Sequence, residues 1–106
     1  MAVHMRGASL RGAVLEMINL QVADLSGADF SAANLARATL FAANAEKANL
    51  SGADLSGANL TRANLAGANL SGAKINAMTL FIGTRLGAAT WIDGRVCAAG
   101  SIGKCD

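Results

Sequence analysis

Leucine recurs at nearly every fifth position from Leu10 to Leu80, and Ala stands two residues before the centre in thirteen of the fifteen units. The centres run Leu10, Leu15, Leu20, Leu25, Phe30, Leu35, Leu40, Ala45, Leu50, Leu55, Leu60, Leu65, Leu70, Ile75 and Leu80, and only Ile18 and Met78 replace the preceding Ala. A period of five belongs to neither helix nor strand. On a helix it would smear the leucines around the circumference and leave no stripe to bury. Self-similarity at a fixed period decides architecture before local propensity does.

Within each unit the Ala, the next residue and the centre alternate in, out, in, as a very short strand does. The two residues that follow are small or polar, as in Ser26-Gly27, Ser51-Gly52, Ser56-Gly57, Ala66-Gly67 and Ser71-Gly72. They fit the central positions of a β-turn, where Gly in second place permits type II; Arg37, Lys47 and Arg62 in that place predict type I. A short strand followed by a corner, repeated, is one side of a polygonal coil.

Units such as Ala53-Asp54-Leu55-Ser56-Gly57 and Ala58-Asn59-Leu60-Thr61-Arg62 resemble the A(D/N)LXX motif of the pentapeptide-repeat family. The resemblance covers about three quarters of the chain. It implies an all-β fold, a right-handed quadrilateral parallel β-helix with four units per coil. The centre and the small residue two before it then point inward. About four regular coils are expected, stacked ~4.8 Å apart, with a partial C-terminal coil and a capping loop. The inward columns on that register are Met5, Leu25, Ala45, Leu65; Leu10, Phe30, Leu50, Leu70; Leu15, Leu35, Leu55, Ile75; and Leu20, Leu40, Leu60, Leu80. The small-residue column of the last face reads Ile18, Ala38, Ala58, Met78. Its two large members fall where open tube ends offer room, so Ile18 and Met78 are read as end-capping residues.

Regularity lapses after Leu80. A shift of one residue restores it, with Leu86, Trp91 and Val96 as centres. Residues 1–82 are therefore read as the repeat β-helix and 83–106 as an irregular last coil and cap of the same domain. Trp91 is too large for a standard coil and serves as a lid, since a solenoid end exposes unpaired backbone and apolar side chains. Cys97 and Cys105 lie eight residues apart in this segment. A disulfide between them would restrain the end by about 2–3 kcal/mol. Two free, partly buried thiols are the alternative. Zinc is the least favoured, because the spacing matches no standard set and only His4 and carboxylates could complete it. A disulfide-closed end also occurs in some members of the family that the repeats resemble, and it favours an extracytoplasmic compartment such as a periplasm or thylakoid lumen.

At 106 residues the chain is one domain, and no apolar run reaches the ~20 residues of a membrane helix. Met1 to Arg6 lack the pattern of a secretory signal. His4-Met5 reads either as a cloning remnant or as part of the first repeat unit. A formal charge of +2 without a Lys/Arg cluster excludes a nucleic-acid binder. His4 is the sole histidine, and the carboxylates Asp24, Asp29 and Asp54 sit singly at outward positions, where Asn and Asp bond neighbouring backbone. There is no phosphate loop, dinucleotide fingerprint or metal box. The chain is expected to be no enzyme, with no cofactor and no small-molecule substrate.

What remains is surface. On the sequence register the outward rows of the last face read Gln21, Phe41, Thr61, Phe81 and Val22, Ala42, Arg62, Ile82. Phe41, Val22, Arg62, Phe81 and Ile82 form the candidate interaction face, unless the C-terminal loop covers Phe81 and Ile82. The expected function is a non-catalytic structural or protein-interaction module, its partner an unidentified protein or a second copy. Many bacterial members of the family have no assigned role. Others resemble duplex DNA and protect a type II topoisomerase, which gives the alternative. The repeats here carry Glu16, Asp24, Asp29, Glu46 and Asp54 against Arg6, Arg11, Arg37, Lys47, Arg62 and Lys74, a balance that disfavours a DNA mimic.

Overall fold

The structure, a computed structural model, describes residues 3–106. The repeat region as read from the sequence begins with Met1 and Ala2, which lie outside the described residues. The chain winds as a four-sided solenoid in which each residue before a centre bridges, in parallel, the residue twenty positions on. One face carries the ladder His4, Asp24, Asn44, Asn64, Arg85, and the second Ser9, Asp29, Asn49, Asn69, Thr90. The third carries Val14, Asn34, Asp54, Lys74, and the fourth Asn19, Thr39, Asn59, Leu80. The molecule measures 31 × 24 × 24 Å.

Backbone hydrogen bonding explains the motif. Take the unit Ala33 to Arg37. The Ala33 amide closes the preceding turn on the Phe30 carbonyl (3.0 Å), and the Asn34 amide reaches back to Ala13 (2.9 Å). The amides of Leu35 and Arg37 reach forward to Asp54 (2.9 Å) and Ser56 (2.8 Å). One amide, that of Ala36, has no backbone partner within reach, and Asn34 Oδ1 accepts from it at 3.0 Å. An oxygen two bonds from Cβ supplies this bond, an Asx turn. Asn or Asp before the centre thus satisfies the fifth amide of a unit at about 3 Å, where Thr39 Oγ1 reaches the Phe41 amide only at 3.5 Å.

The interior holds only what fits a narrow tube. Leu25, Leu35, Leu55 and Leu65 are fully buried together with the alanines two before them, and Phe30 is the largest buried side chain. At the regular corners of the repeat the second residue has positive φ, glycine or not: Arg37 is at 57°, Lys47 at 59° and Arg62 at 60°. The type I turns expected at these three residues are therefore type II. These regular corners must turn the chain by the same amount to keep the four ladders in register. A left-handed residue costs roughly 1–2 kcal/mol without glycine, and the inter-circuit hydrogen bonds on both sides hold it there.

The irregularity falls earlier than the sequence register put it. Bridges span twenty residues up to Asp54–Lys74 and twenty-one from Asn59–Leu80 onward, so the extra residue lies between Lys74 and Leu80. Leu80 is consequently not an inward centre. It occupies the outward bridging position at 40% exposure, and Phe81 takes its place against the core. Met78 is likewise no end cap. It sits on the enlarged corner, 71% exposed, while Thr79 and Thr84 fill the small inward positions and donate to the carbonyls of Leu55 (2.8 Å) and Leu60 (2.6 Å). Ile18, by contrast, is partly buried against the core at the first circuit.

Asn76 repairs the enlarged corner. Elsewhere the second corner amide donates to a backbone carbonyl of the next circuit, as Gly52 does to Ser71 at 2.9 Å. At Gly57 the insertion has displaced that carbonyl, and Asn76 Oδ1 accepts instead at 3.0 Å.

Beyond Trp91 the chain reverses. Val96 is not a further centre: it pairs antiparallel with Thr90 and is largely exposed, and Ile102 pairs antiparallel with Arg85. The amides of Leu86, Ala88 and Trp91, which would reach a further circuit, donate to Ser101, Cys97 and Arg95 at 2.8, 3.1 and 2.8 Å. Cys97 and Cys105 are joined by a disulfide and are buried. The rings of Trp91 and Phe81 meet edge to face with centroids 5.3 Å apart.

Candidate interaction surface

The outward side chains of the solenoid fall into rows set by the register. At the corner leaving the fourth face the inserted residue changes who stands in them. The first row is Gln21, Phe41, Thr61, Ile82, because Arg62 donates to Ile82 as Val22 does to Phe41. The second row is Val22, Ala42, Arg62, Gly83. Phe81, placed on this face by the sequence register, is turned inward, and Ile82 moves one row over to stand beside Thr61. Val22 and Ile82 are 54% and 65% exposed, Arg62 is exposed and Phe41 is half-buried. A Cβ at Gly83 would stand 3.5 Å from Arg62 Cγ, so the aliphatic stem of Arg62 lies along the row toward the C-terminal end. The C-terminal loop reaches this corner only with Gly103, whose amide donates to Thr84, and Ile82 stays uncovered.

A second apolar edge was missed from the sequence. Met78 and Leu80 line a shallow groove of about 530 Å³ with Ala36, Arg37, Ser56, Gly57 and Asn76. The signal for it was present. Centres at Phe81, Leu86 and Trp91 keep a spacing of five, which moves the extra residue to the Asn76 corner and exposes its neighbours.

The polar groups that could do chemistry are held at the corners. Asp24 Oδ1 accepts from the Ser26 hydroxyl and amide at 2.8 and 3.2 Å, and Arg6 donates to its other oxygen at 2.9 Å. Asp29 accepts from the Ser31 hydroxyl and amide at 2.6 and 2.9 Å. Asp54 accepts from the Ser56 amide at 3.0 Å. These serine hydrogen bonds hold all three carboxyls below the usual carboxylate range. The three are spread over three faces and two circuits and share no cleft. His4 stands on the first face, bridged to Asp24. Among the described residues no group of three His, Cys, Asp or Glu side chains could hold a metal ion.

The four bridge ladders, the inward Ala and Leu columns and the Asx corners define a quadrilateral β-helix built from five-residue repeats. A family model for pentapeptide repeats matches eight copies over residues 4–40 and 38–76. The chain belongs to the pentapeptide-repeat family. Among solved structures it is similar to a pentapeptide repeat protein of the Arabidopsis thaliana thylakoid lumen, at 28% identity over 94% of this chain and 81% of that one, with a TM-score of 0.55. A pentapeptide repeat protein from Nostoc Pcc 7120 is 32% identical over 73% of this chain and 72% of its own, with a TM-score of 0.35. QnrB1, a plasmid-mediated fluoroquinolone resistance protein, is 19% identical over 83% of this chain and 52% of its own, with a TM-score of 0.49. No curated protein matches the sequence.

Proposed function

We propose that this chain is a non-catalytic structural and protein-interaction module: a short, rigid, right-handed quadrilateral β-helix of four regular coils and a partial fifth, presenting side chains on a fixed grid. The observation that carries this reading is the commitment of the outward Asp and Asn groups to corner amides, which leaves apolar and cationic side chains as the surface free to make contacts. Phe41, Val22, Arg62 and Ile82 are the contact face. An exposed aliphatic pair beside a half-buried aromatic and an arginine has the composition of the anchoring residues at protein interfaces. Its partner is a protein; a nucleic acid, a membrane or a small-molecule substrate would find no matching chemistry on it.

The disulfide favours an oxidising, extracytoplasmic compartment, and the likeness to a thylakoid-lumen protein supports that reading. A DNA-mimic role at a topoisomerase lacks support from the surface, because Arg6–Asp24 and Arg37–Glu16 ion pairs alternate along it. The test is quantitative affinity capture with the immobilised wild type beside Phe41→Glu and, as a control on another face, Asn49→Asp. A stoichiometric protein lost only with Phe41→Glu, at unchanged melting temperature, supports the face. Capture indifferent to Phe41→Glu removes it.

A further inference from the structure

On the first face the last place in the ladder breaks the corner rule. Asp24, Asn44 and Asn64 each accept from the first amide of the corner that follows, those of Ser26 (3.2 Å), Glu46 (3.2 Å) and Ala66 (3.0 Å). The next residue in that ladder is Arg85, which has no acceptor oxygen to offer. The Gly87 amide stands where those of Ser26, Glu46 and Ala66 stand, and it has no acceptor among the described residues. Gly100 approaches it from the cap: a Cβ at Gly87 would lie 3.2 Å from the Gly100 nitrogen. The Gly100 amide has no acceptor among the described residues either. Its loop is fixed, because the buried Ser101 hydroxyl donates to Ala98 at 2.7 Å and accepts from the Asp106 amide at 3.1 Å. Arg85, Gly87, Gly100, Ser101 and Ile102 line a shallow recess of about 330 Å³ with Ala66.

Charge is one-sided here. The stem of Arg62 lies over the Gly83 position. Gly83 and Arg85 are two residues apart in an extended segment, roughly 7 Å, and the alternation that buries Thr84 turns both outward. Among the described residues neither Arg62 nor Arg85 forms an ion pair. Asp24 is taken by Arg6 at 2.9 Å and Asp106 by Lys104 at 3.8 Å, while Glu46, two circuits back at the far corner of this face, pairs with neither. Apolar side chains flank the arginines. Ile102 pairs antiparallel with Arg85, framed by the Leu86–Ser101 and Gly103–Thr84 bonds, so the two side chains stand together on one side. Ile102 and Ile82 are 60% and 65% exposed.

We infer that this corner binds an acidic segment of a protein partner, with one Glu or Asp carboxylate in the place of the missing side-chain oxygen. The carboxylate accepts from the Gly87 amide as Asn64 accepts from Ala66, and its second oxygen takes the Arg85 guanidinium. Both bonds are charge-assisted, a class roughly twice as strong as neutral hydrogen bonds. Arg62 adds to the field, and the neighbours of that acid pack on Ile102 and Ile82. A small free anion would use the same donors but leave both isoleucines bare. The inference rests on the protein-interaction reading above and extends its contact face, through Arg62 and Ile82, onto the first face.

The probe is the peptide acetyl-Leu-Glu-Leu-amide, titrated to about 50 mM into the nitrogen-15-labelled full chain, beside its Gln counterpart and sodium acetate. The expected result is a saturable downfield shift of the Gly87 and Gly100 amides with the Glu peptide, none with the Gln peptide, and acetate weaker by about fivefold or more. Arg85→Gln should raise the dissociation constant about tenfold. Arg85→Asn should also lose the peptide, yet raise the melting temperature, because its own side chain closes the Gly87 corner; Arg85→Gln should not raise it. No saturable shift at Gly87, equal binding of the Gln peptide, or indifference to Arg85→Gln would each overturn the inference. Acetate binding as tightly as the peptide would overturn the assignment to a protein segment. In affinity capture, a partner lost with Phe41→Glu but kept by Arg85→Gln overturns this inference and leaves the Phe41 face standing. A partner lost with Arg85→Gln but indifferent to Phe41→Glu supports it and removes that face.

Discussion

The residue before each centre shows how one side chain can fix a corner. Asn and Asp both place an oxygen two bonds from Cβ, within about 3 Å of the corner amide, but only Asp adds a charge. Asp24, Asp29 and Asp54 are held ionised by their serine donors, so their folded-state pKa values lie below those of the unfolded chain. The unfolded chain therefore takes up protons first as pH falls. The stabilisation they give is complete above about pH 5 and is lost as pH drops below about 4 through the folded values. The melting temperature should be flat from neutrality to about pH 5 and fall below it. Replacing all three by Asn, which makes the same amide bond at Asn34 and Asn44, should flatten the acid limb of that curve. A triple variant with the wild-type limb would mean that other groups set acid stability.

Corners and cap behave as elements with their own energetics. At the enlarged corner Asn76 Oδ1 stands in for a backbone carbonyl and serves the amides of Gly57 and Met78 together. Asn76→Ala should cost about 0.5–1.5 kcal/mol, the net value of a hydrogen bond whose freed amides water can reach. Asn76→Asp, which keeps the acceptor, should recover most of it in urea titration. The cap is tied by the Cys97–Cys105 bridge across an eight-residue separation. Reduction should lower the melting temperature by an amount corresponding to about 2–3 kcal/mol. Two titratable thiols in the unreduced, unfolded protein would show that no bridge had formed. The type II geometry at Arg37, Lys47 and Arg62 belongs to this scale too. A turn type that sequence alone assigns by its residue is set here by the ladders on either side.

The whole molecule is quasi-one-dimensional, each circuit touching only its neighbours, so the cost of a defect depends on its place along the rod. Leu55 is fully buried between two circuits, whereas Leu15 belongs to the partly open first circuit. Leu55→Asp buries a charge at a cost comparable to the ~5–15 kcal/mol net stability of a domain and should abolish cooperative unfolding. Leu15→Asp can turn toward the open end, and should fray one circuit and leave most of the circular dichroism signal. Equal effects of the two would contradict the nearest-neighbour picture.

The five-residue period and the Ala and Leu columns carried the architecture, because a repeat that cannot lie on a helix or a strand leaves few ways to bury its leucines. Family, four-sidedness and the inward columns as far as Ile75 were legible on that ground. So was the place of the cysteines in the terminal cap. The extra residue near Asn76 was not placed correctly, since Leu80 and Phe81 are both acceptable centres by hydrophobicity alone. The choice falls to Phe81 only when the bridges to Asn59 and Asn64 must close with Thr79 and Thr84 inside. That one-residue shift turned Phe81 inward, moved Ile82 in the outward rows and exposed Met78 and Leu80. Which side chains face solvent was decided by inter-circuit hydrogen bonding between residues about twenty apart, a constraint that acts only once the chain has wound upon itself.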